Sequence, residues 1–265
     1  MTAGELDKKV ALVTGAGKGI GRAISLAFAS QGAQLVLAGR DIEGLEETAR
    51  LISQLAGNAL PALVTPMDLV DSQSIESSVA QAIQAFGHID VLVNNSGIAG
   101  KNSPLWKLSE AEWDETMDIN LKGSFLVSKA VVPSMIDQKS GSIIFIGSIT
   151  GKRPLINRSV YAASKLGMVG LMRTLALELA PHGIRVNLVS PGFVGGPRLD
   201  SVIEGVAEKA GLSSDEVHAQ WLSMVPTGEF ITPEQIAQGV LFFASSRSAG
   251  ITGDDLNITG GLVMY

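Results

Sequence analysis

Two residues in the middle of the chain could move a proton. Tyr161 and Lys165 stand four apart, a spacing that puts them on one face of a helix with side chains leaning the same way. An ammonium beside a phenol favours the phenolate and lowers a pKa that is otherwise about 10, so that tyrosine can exchange a proton near neutral pH. Ser148, thirteen residues earlier and just past an apolar run, brings a hydroxyl that can face the same place. By itself Y-x-x-x-K is commonly a solvated helix face, and its meaning rests on what surrounds it.

A second group of residues suits a phosphate ligand. Thr14-Gly15-Ala16-Gly17-Lys18-Gly19-Ile20-Gly21 follows an apolar strand pattern and opens a helical one. Glycines there allow a tight turn, let the backbone approach a pyrophosphate, and present helix N-terminal N–H groups to an anion. A phosphate loop of the NTPase kind needs Lys followed by Ser or Thr, and Lys18 is followed by Gly19. Asp68 and Leu69 close a third strand pattern, and Asn94-Asn95-Ser96-Gly97 closes a fourth. In open α/β sheets ligands bind beyond the carboxyl ends of the strands, so these segments reach the same crevice. Taken alone, Asp68 reads as a turn residue or a cap.

The elements that must position these groups alternate. Strands are expected at Val10 to Thr14, Gln34 to Gly39, Leu60 to Thr65, Val91 to Asn94, Ser142 to Gly147, Arg185 to Ser190 and Asp255 to Ile258. Most are nearly continuous in Val, Ile and Leu, as befits parallel strands buried on both faces. Helical periodicity fills Ile20 to Gln31, Ile42 to Ala56, Ser74 to Phe86, Glu110 to Gln138 with a break, Val160 to Ala180 and Pro233 to Ala244. The fold class is therefore α/β: one doubly wound domain over residues 1–265, its seven-stranded parallel sheet flanked by helices on both faces. Pro191 to Val225 departs from this rhythm, and a substrate lid is expected over residues 192–225, with a surface excursion as the alternative.

Composition narrows the chemistry. The chain has 265 residues, no cysteine, 46% hydrophobic residues and a net charge of −6. Thiol catalysis, disulfides and cysteine-bound zinc are thereby excluded. His88, His182 and His218 are scattered, which leaves no histidine-rich metal spacing. The acidic balance argues against nucleic acid. No apolar run of about 18 residues is present and the N-terminal stretch lacks a signal-peptide core, so a cytoplasmic location and no membrane are expected. Charged residues, at 17%, fall short of the usual ~25% of soluble domains. That deficit suggests surface covered by another subunit, with the rich Ala and Gly content as the alternative source.

In order and spacing these residues resemble the short-chain dehydrogenases/reductases over nearly the whole length. The family pattern T-G-x-x-x-G-x-G, N-N-x-G, a mid-chain Asn, Ser, Y-x-x-x-K and P-G is met by Thr14 to Gly21, Asn94 to Gly97, Asn120, Ser148, Tyr161 with Lys165, and Pro191-Gly192. The resemblance implies an oxidoreductase interconverting a ketone and a secondary alcohol. Tyr161 would move the proton of the substrate oxygen, Ser148 would hydrogen-bond that oxygen, and Lys165 would hold the nicotinamide ribose. Asn120 would fix a water that relays protons to Lys165. It further implies a homotetramer. The helices from Gly123 to Gln138 and Val160 to Ala180, apolar on more than one face, agree with that. Where the family often has Thr to contact the carboxamide, this chain has Gly196, and the backbone of Val194 is the remaining candidate. Ser96 replaces the more usual Ala.

The coenzyme turns on the end of the second strand. Gly39 occupies the place where NAD-dependent members usually carry Asp, and Arg40 follows it. A guanidinium meets phosphate oxygens with two hydrogen bonds, and Lys18 is a second base, so NADP(H) is expected. NAD(H) is the alternative, with Asp41 as ribose acceptor, although Asp41 also reads as a helix N-cap. The substrate is a small carbonyl or alcohol compound. The rivals within the family are 3-oxoacyl-carrier-protein reductase and sugar, polyol or hydroxy-acid dehydrogenase. A non-catalytic dinucleotide-binding protein is the remote alternative. Lys152, Arg153 and Arg158 are either solvated loop charges or receivers of a substrate carboxylate. The stretch Gly211 to Ala237 resembles the lid of 3-hydroxybutyrate dehydrogenases, but the carboxylate-binding set is incomplete: Arg158 stands where a Lys would, and Thr150 and Ala99 replace His and Gln.

Overall fold

Every strand but the edge strand Asp255–Ile258 divides its side chains between two cores. In the computed structural model, which describes residues 4–55 and 61–265, Val10 and Leu12 of β1 (Val10–Thr14) face one apolar cluster while Ala11 and Val13 face the other. Ile143 and Phe145 of β5 (Gly141–Ile146) oppose Ile144 and Ile146 in the same way. Two buried faces are what make these strands read as unbroken apolar runs. The remaining strands are β2 (Gln34–Gly39), β3 (Leu63–Pro66), β4 (Val91–Asn94), β6 (Ile184–Pro191) and β7 (Asp255–Ile258). The sheet order is β3-β2-β1-β4-β5-β6-β7, and every pairing is parallel. Strand order reverses between β1 and β4, the switch point where such sheets open a crevice.

One layer holds α1 (Gly19–Ser30), α2 (Ile42–Leu55) and α9 (Pro233–Ala244). The other holds α3 (Ser72–Phe86), α4 (Glu110–Met117), α5 (Gly123–Gln138) and α6 (Ser159–Leu179). Four strands keep their expected bounds, and the others shift by one to three residues. The expected start of the third strand at Leu60 and the end of the second helix at Ala56 lie outside the described residues, as does Met1. α3 begins two residues before expectation because Asp71 caps it, accepting from the Gln73 N–H at 2.9 Å. The expected break in Glu110 to Gln138 is a single π-turn, Asp118–Lys122, in which the Gly123 N–H reaches the Asp118 carbonyl.

The excursion between β6 and α9 folds into two helices, α7 (Pro197–Ala210) and α8 (Ser214–Ser223). It carries a small core of its own, built on Phe193, Leu199, Ile203, Val217 and Val225. Phe193 stacks on Trp221 with ring centroids 4.7 Å apart. Among the described residues no helix is long and apolar enough to cross a membrane.

Candidate functional site

The glycine loop is bound to the switch point by one asparagine. Asn95 Nδ2 donates to the carbonyls of Thr14 (2.8 Å) and Gly15 (3.3 Å). The Thr14 hydroxyl in turn receives the N–H groups of Asn95 and Ser96, both at 3.0 Å. Gly15 has φ +65° and Gly19 φ +53°, the left-handed region that glycine enters without strain. A Cβ at Gly21 would stand 2.2 Å from the Gly15 carbonyl oxygen. In front of Gly19 the space is open, and Lys18, which caps α1, supplies no side-chain acceptor to its first N–H groups. The loop therefore presents bare backbone donors and a helix N-terminus outward, a cradle that fits the pyrophosphate of a dinucleotide.

Lys165 is the electrostatic centre of the crevice. It is 4% exposed, and its ammonium donates to the Ile146 carbonyl at 2.8 Å, 5.9 Å from the centre of the Tyr161 ring. Burial, aided by the nearby charge of Arg198, brings its pKa down to about 7. Asn120, fully buried within the π-turn, accepts from the Ile98 N–H at 2.8 Å and donates to the Ile98 carbonyl and to Ser164 Oγ. Ser164 donates back to the Tyr161 carbonyl. Gly97 lies between them: an added Cβ would meet Asn120 Oδ1 at 3.0 Å and Lys165 Nζ at 3.5 Å.

Ser148 leads off a 3-10 turn (Ile149–Gly151), its Oγ accepting from the Thr150 N–H at 3.1 Å. The turn is tethered to the sheet edge through Lys152, whose ammonium meets Asp255 at 2.8 Å and Asn257 at 2.7 Å. Lys152 is thus neither a solvated charge nor turned toward a substrate. Arg158, immediately before α6, is half-buried and donates to the Ala99 carbonyl at 3.2 Å.

The other candidates sit at strand ends. The Asp68 carboxylate accepts from the Val70 N–H at 3.2 Å in a local turn, and Leu69 packs against Gly123. Gly192, after Pro191, donates to the Ile258 carbonyl at 2.9 Å, and its α-carbon faces Thr259 closely. Val194 bridges Ile231. At the end of β2, Arg40 is exposed. Asp41 accepts from the Gly44 N–H at 3.1 Å, the N-cap geometry, and its second oxygen lies 3.9 Å from Lys18. The sequence reading left out Thr14 as a hydroxyl bridge, Ser164 as the link between Asn120 and Tyr161, and Arg198. Thr14 was visible in the T-G motif. Ser164 and Arg198 acquire their places only through packing.

A doubly wound sheet with a glycine cradle at its switch point and a Tyr–Lys–Ser–Asn group beside it defines a nucleotide-dependent oxidoreductase class. The profile of the short chain dehydrogenase family matches residues 9–205, and the chain belongs to that family. Among its relatives is the 3-oxoacyl-[acyl-carrier-protein] reductase FabG of Thermotoga maritima, 39% identical over 98% of this chain and 99% of that one. Among solved structures, a variant of actinorhodin polyketide ketoreductase with NADPH superposes with a TM-score of 0.92 at 35% identity, covering 97% of this chain and 98% of the other. NAD+-bound xylitol dehydrogenase has the same score at 32% identity, covering 97% and 99%. The chain is accordingly an oxidoreductase acting between carbonyl groups and their alcohols.

Proposed function

We propose that the chain is an NADP(H)-dependent carbonyl reductase in which Tyr161 is the general acid/base. The observation that carries this reading is the buried Lys165 ammonium, held on the Ile146 carbonyl beneath the Tyr161 ring with Asn120 one hydroxyl away through Ser164. A nicotinamide dinucleotide held by the glycine cradle and Lys165 supplies the hydride. Ser148 positions the substrate oxygen, and Tyr161 gives that oxygen its proton. Lys165 and Asn120 return a proton to Tyr161, a task suited to an ammonium that titrates near neutral pH. Exposed Arg40 and Lys18 flank the place of the 2′-phosphate, with Lys18 shared by Asp41. Asp68, Leu69, Pro191, Gly192 and the Val194 backbone border the coenzyme, and α7 with α8 forms the lid. Both FabG and the polyketide ketoreductase are named as reductases, which supports reduction as the working direction.

Measurement of kcat/KM with NADPH and NADH, before and after Arg40→Ala, tests the coenzyme. Preference for NADPH that collapses in the variant is expected. Preference for NADH, or equal weakening of both, refutes the role of Arg40. We further propose a homotetramer of two-fold symmetry, supported by exposed Phe125 and Leu166 on α5 and α6 and by an apolar concavity of about 360 Å³ lined by Met117, Leu121, Phe125 and Leu171. Sedimentation of a monomer at micromolar concentration would refute it.

A further inference from the structure

The turn that carries Ser148 is closed into a ring by side chains. The Gly147 N–H donates to the Val189 carbonyl at 2.8 Å, one residue past β5, and beyond it the chain leaves the sheet. Within the turn the Gly151 N–H donates to the Ser148 carbonyl at 3.2 Å and the Lys152 N–H to the Ile149 carbonyl at 2.9 Å. With the Thr150 N–H on Ser148 Oγ, the hydroxyl keeps its own proton to give. On one side the turn lies directly on α6 at the level of Lys165: an added Cβ at Gly151 would stand 3.0 Å from the Leu166 amide nitrogen. On the other side stands Lys152, four residues after Ser148. Its ammonium donates to Asn257 Oδ1 at 2.7 Å and lies 2.8 Å from Asp255 Oδ2, an ionic contact off the hydrogen-bonding direction. Asp255 Oδ1 accepts from Ser190 Oγ at 2.7 Å. Ser190 in turn faces Gly147, where an added Cβ would meet its Oγ at 3.2 Å. The circuit therefore leaves the chain one residue before Ser148 and rejoins it four residues after.

Both charges of this ring are withdrawn from water, the side chains of Lys152 and Asp255 being 14% and 5% exposed. Desolvation offsets much of the attraction in such a pair, and apolar side chains of the same volume hold a fold as well. What the ion pair supplies beyond them is direction, because the ammonium must meet two acceptors at fixed points. Both acceptors stand on β7, where Asp255 pairs with Leu188 and Asn257 with Ser190 of β6. The anchor of the turn is thus the sheet itself. The Ile146 carbonyl, which holds the Lys165 ammonium, belongs to the ladder before the ring and does not depend on Lys152.

We infer that Lys152 is a positioning residue for the reaction: through Asp255 and Asn257 it fixes the turn that aims the Ser148 hydroxyl at the substrate oxygen. The inference rests on the carbonyl-reductase reading and adds to it a residue that acts only through Ser148. A misplacement of about 1 Å at a reacting group costs on the order of 100-fold in rate. A side chain with no part in the chemistry can therefore set its speed.

The test compares wild type, Lys152→Met and the double variant Lys152→Met/Asp255→Asn, with the preferred coenzyme and a ketone that the wild type reduces, ethyl acetoacetate first. Lys152→Met leaves the Asp255 carboxylate buried without its partner and is expected to lower the melting temperature. The double variant removes both charges and is expected to regain most of that loss. Turnover is expected to fall at least about tenfold in Lys152→Met and to stay low in the double variant, with coenzyme Kd within about twofold of wild type. In a Ser148→Ala background, Lys152→Met is expected to cost less than about twofold more, because the group it positions is gone. Recovery of turnover together with melting temperature in the double variant, or an equal loss from Lys152→Met with and without Ser148, would overturn the positioning role and leave the reductase reading intact. So would unaltered hydrogen exchange of the amides of residues 148–153 in Lys152→Met. Absence of wild-type turnover with every ketone of a panel would sink the reductase reading, and this inference with it.

Discussion

Glycines at the nucleotide cradle and glycines in the α7–α8 excursion do opposite work. At the cradle, Gly19 apart, they are crowded: a Cβ on Gly15, Gly21 or the neighbouring Gly97 would come within about 3 Å of another atom. In the excursion Gly196, Gly205 and Gly211 have open space, with nothing within 4 Å of an added Cβ. Crowded glycines record close approach of backbone to backbone, a requirement of packing. Open glycines record only the backbone angles of a turn or, at Gly205, nothing that demands glycine at all. One part of the molecule is a frame built to tight tolerance. The other is a small module packed on Phe193 and Trp221, free to carry different side chains over the same frame.

The sharpest way to break that contrast is Gly21→Ala. With Gly15 backbone in the way at 2.2 Å, loss of coenzyme binding and a large fall in melting temperature are expected, read by fluorescence titration and calorimetry; a folded variant with normal affinity would mean the cradle is not tight. Next is Tyr161→Phe, expected to lower turnover at least ~100-fold while coenzyme affinity is kept. Lys165→Ala should harm both. Near-normal turnover by Tyr161→Phe would remove the chemistry from the frame.

A third, smaller effect concerns pH. The folded pKa of Lys165, about 7, lies below its ordinary 10.5. Below pH 7 both folded and unfolded chains hold the proton and the folded state bears the full cost of the buried charge. Between pH 7 and 10.5 the unfolded chain binds a proton that the folded chain has released, so stability rises with pH. The melting advantage of Lys165→Met over wild type, measured without coenzyme, is therefore expected to be largest below pH 7 and to shrink up to pH 10.5. A flat or growing advantage would contradict the burial argument. Smallest of all, Gly205→Ala in the middle of α7 should stabilise by about 0.4–1 kcal/mol in chemical denaturation. Destabilisation there would show that the excursion is as closely built as the cradle.

Much of the frame was legible because its signals are local. Apolar runs mark strands buried on both faces, and the T-G motif, N-N-x-G and Y-x-x-x-K each lie within a few residues of one another. What escaped depends on distance along the chain. Lys152 reads as a loop charge until β7 brings Asp255 within 2.8 Å. The division of the excursion into α7 and α8 was hidden by its polar composition, although Ser213 and Glu216 do form a capping box at the start of α8. The break before α5 was visible, but its nature as a π-turn has no signature in residue type.

That π-turn makes the site sensitive to residue count as well as residue identity. An α-helix advances about 100° per residue, so one surplus residue swings everything beyond it by that angle. With the surplus, Asn120 turns its side chain toward Ser164 and Ile98, while Ser124 donates to the Asn120 carbonyl and Ser128 donates to the Ser124 carbonyl and accepts from Asn94. Removing any one residue from Asp118–Lys122 would restore an unbroken α-helix, more regular by every local measure, and would put these two faces out of phase.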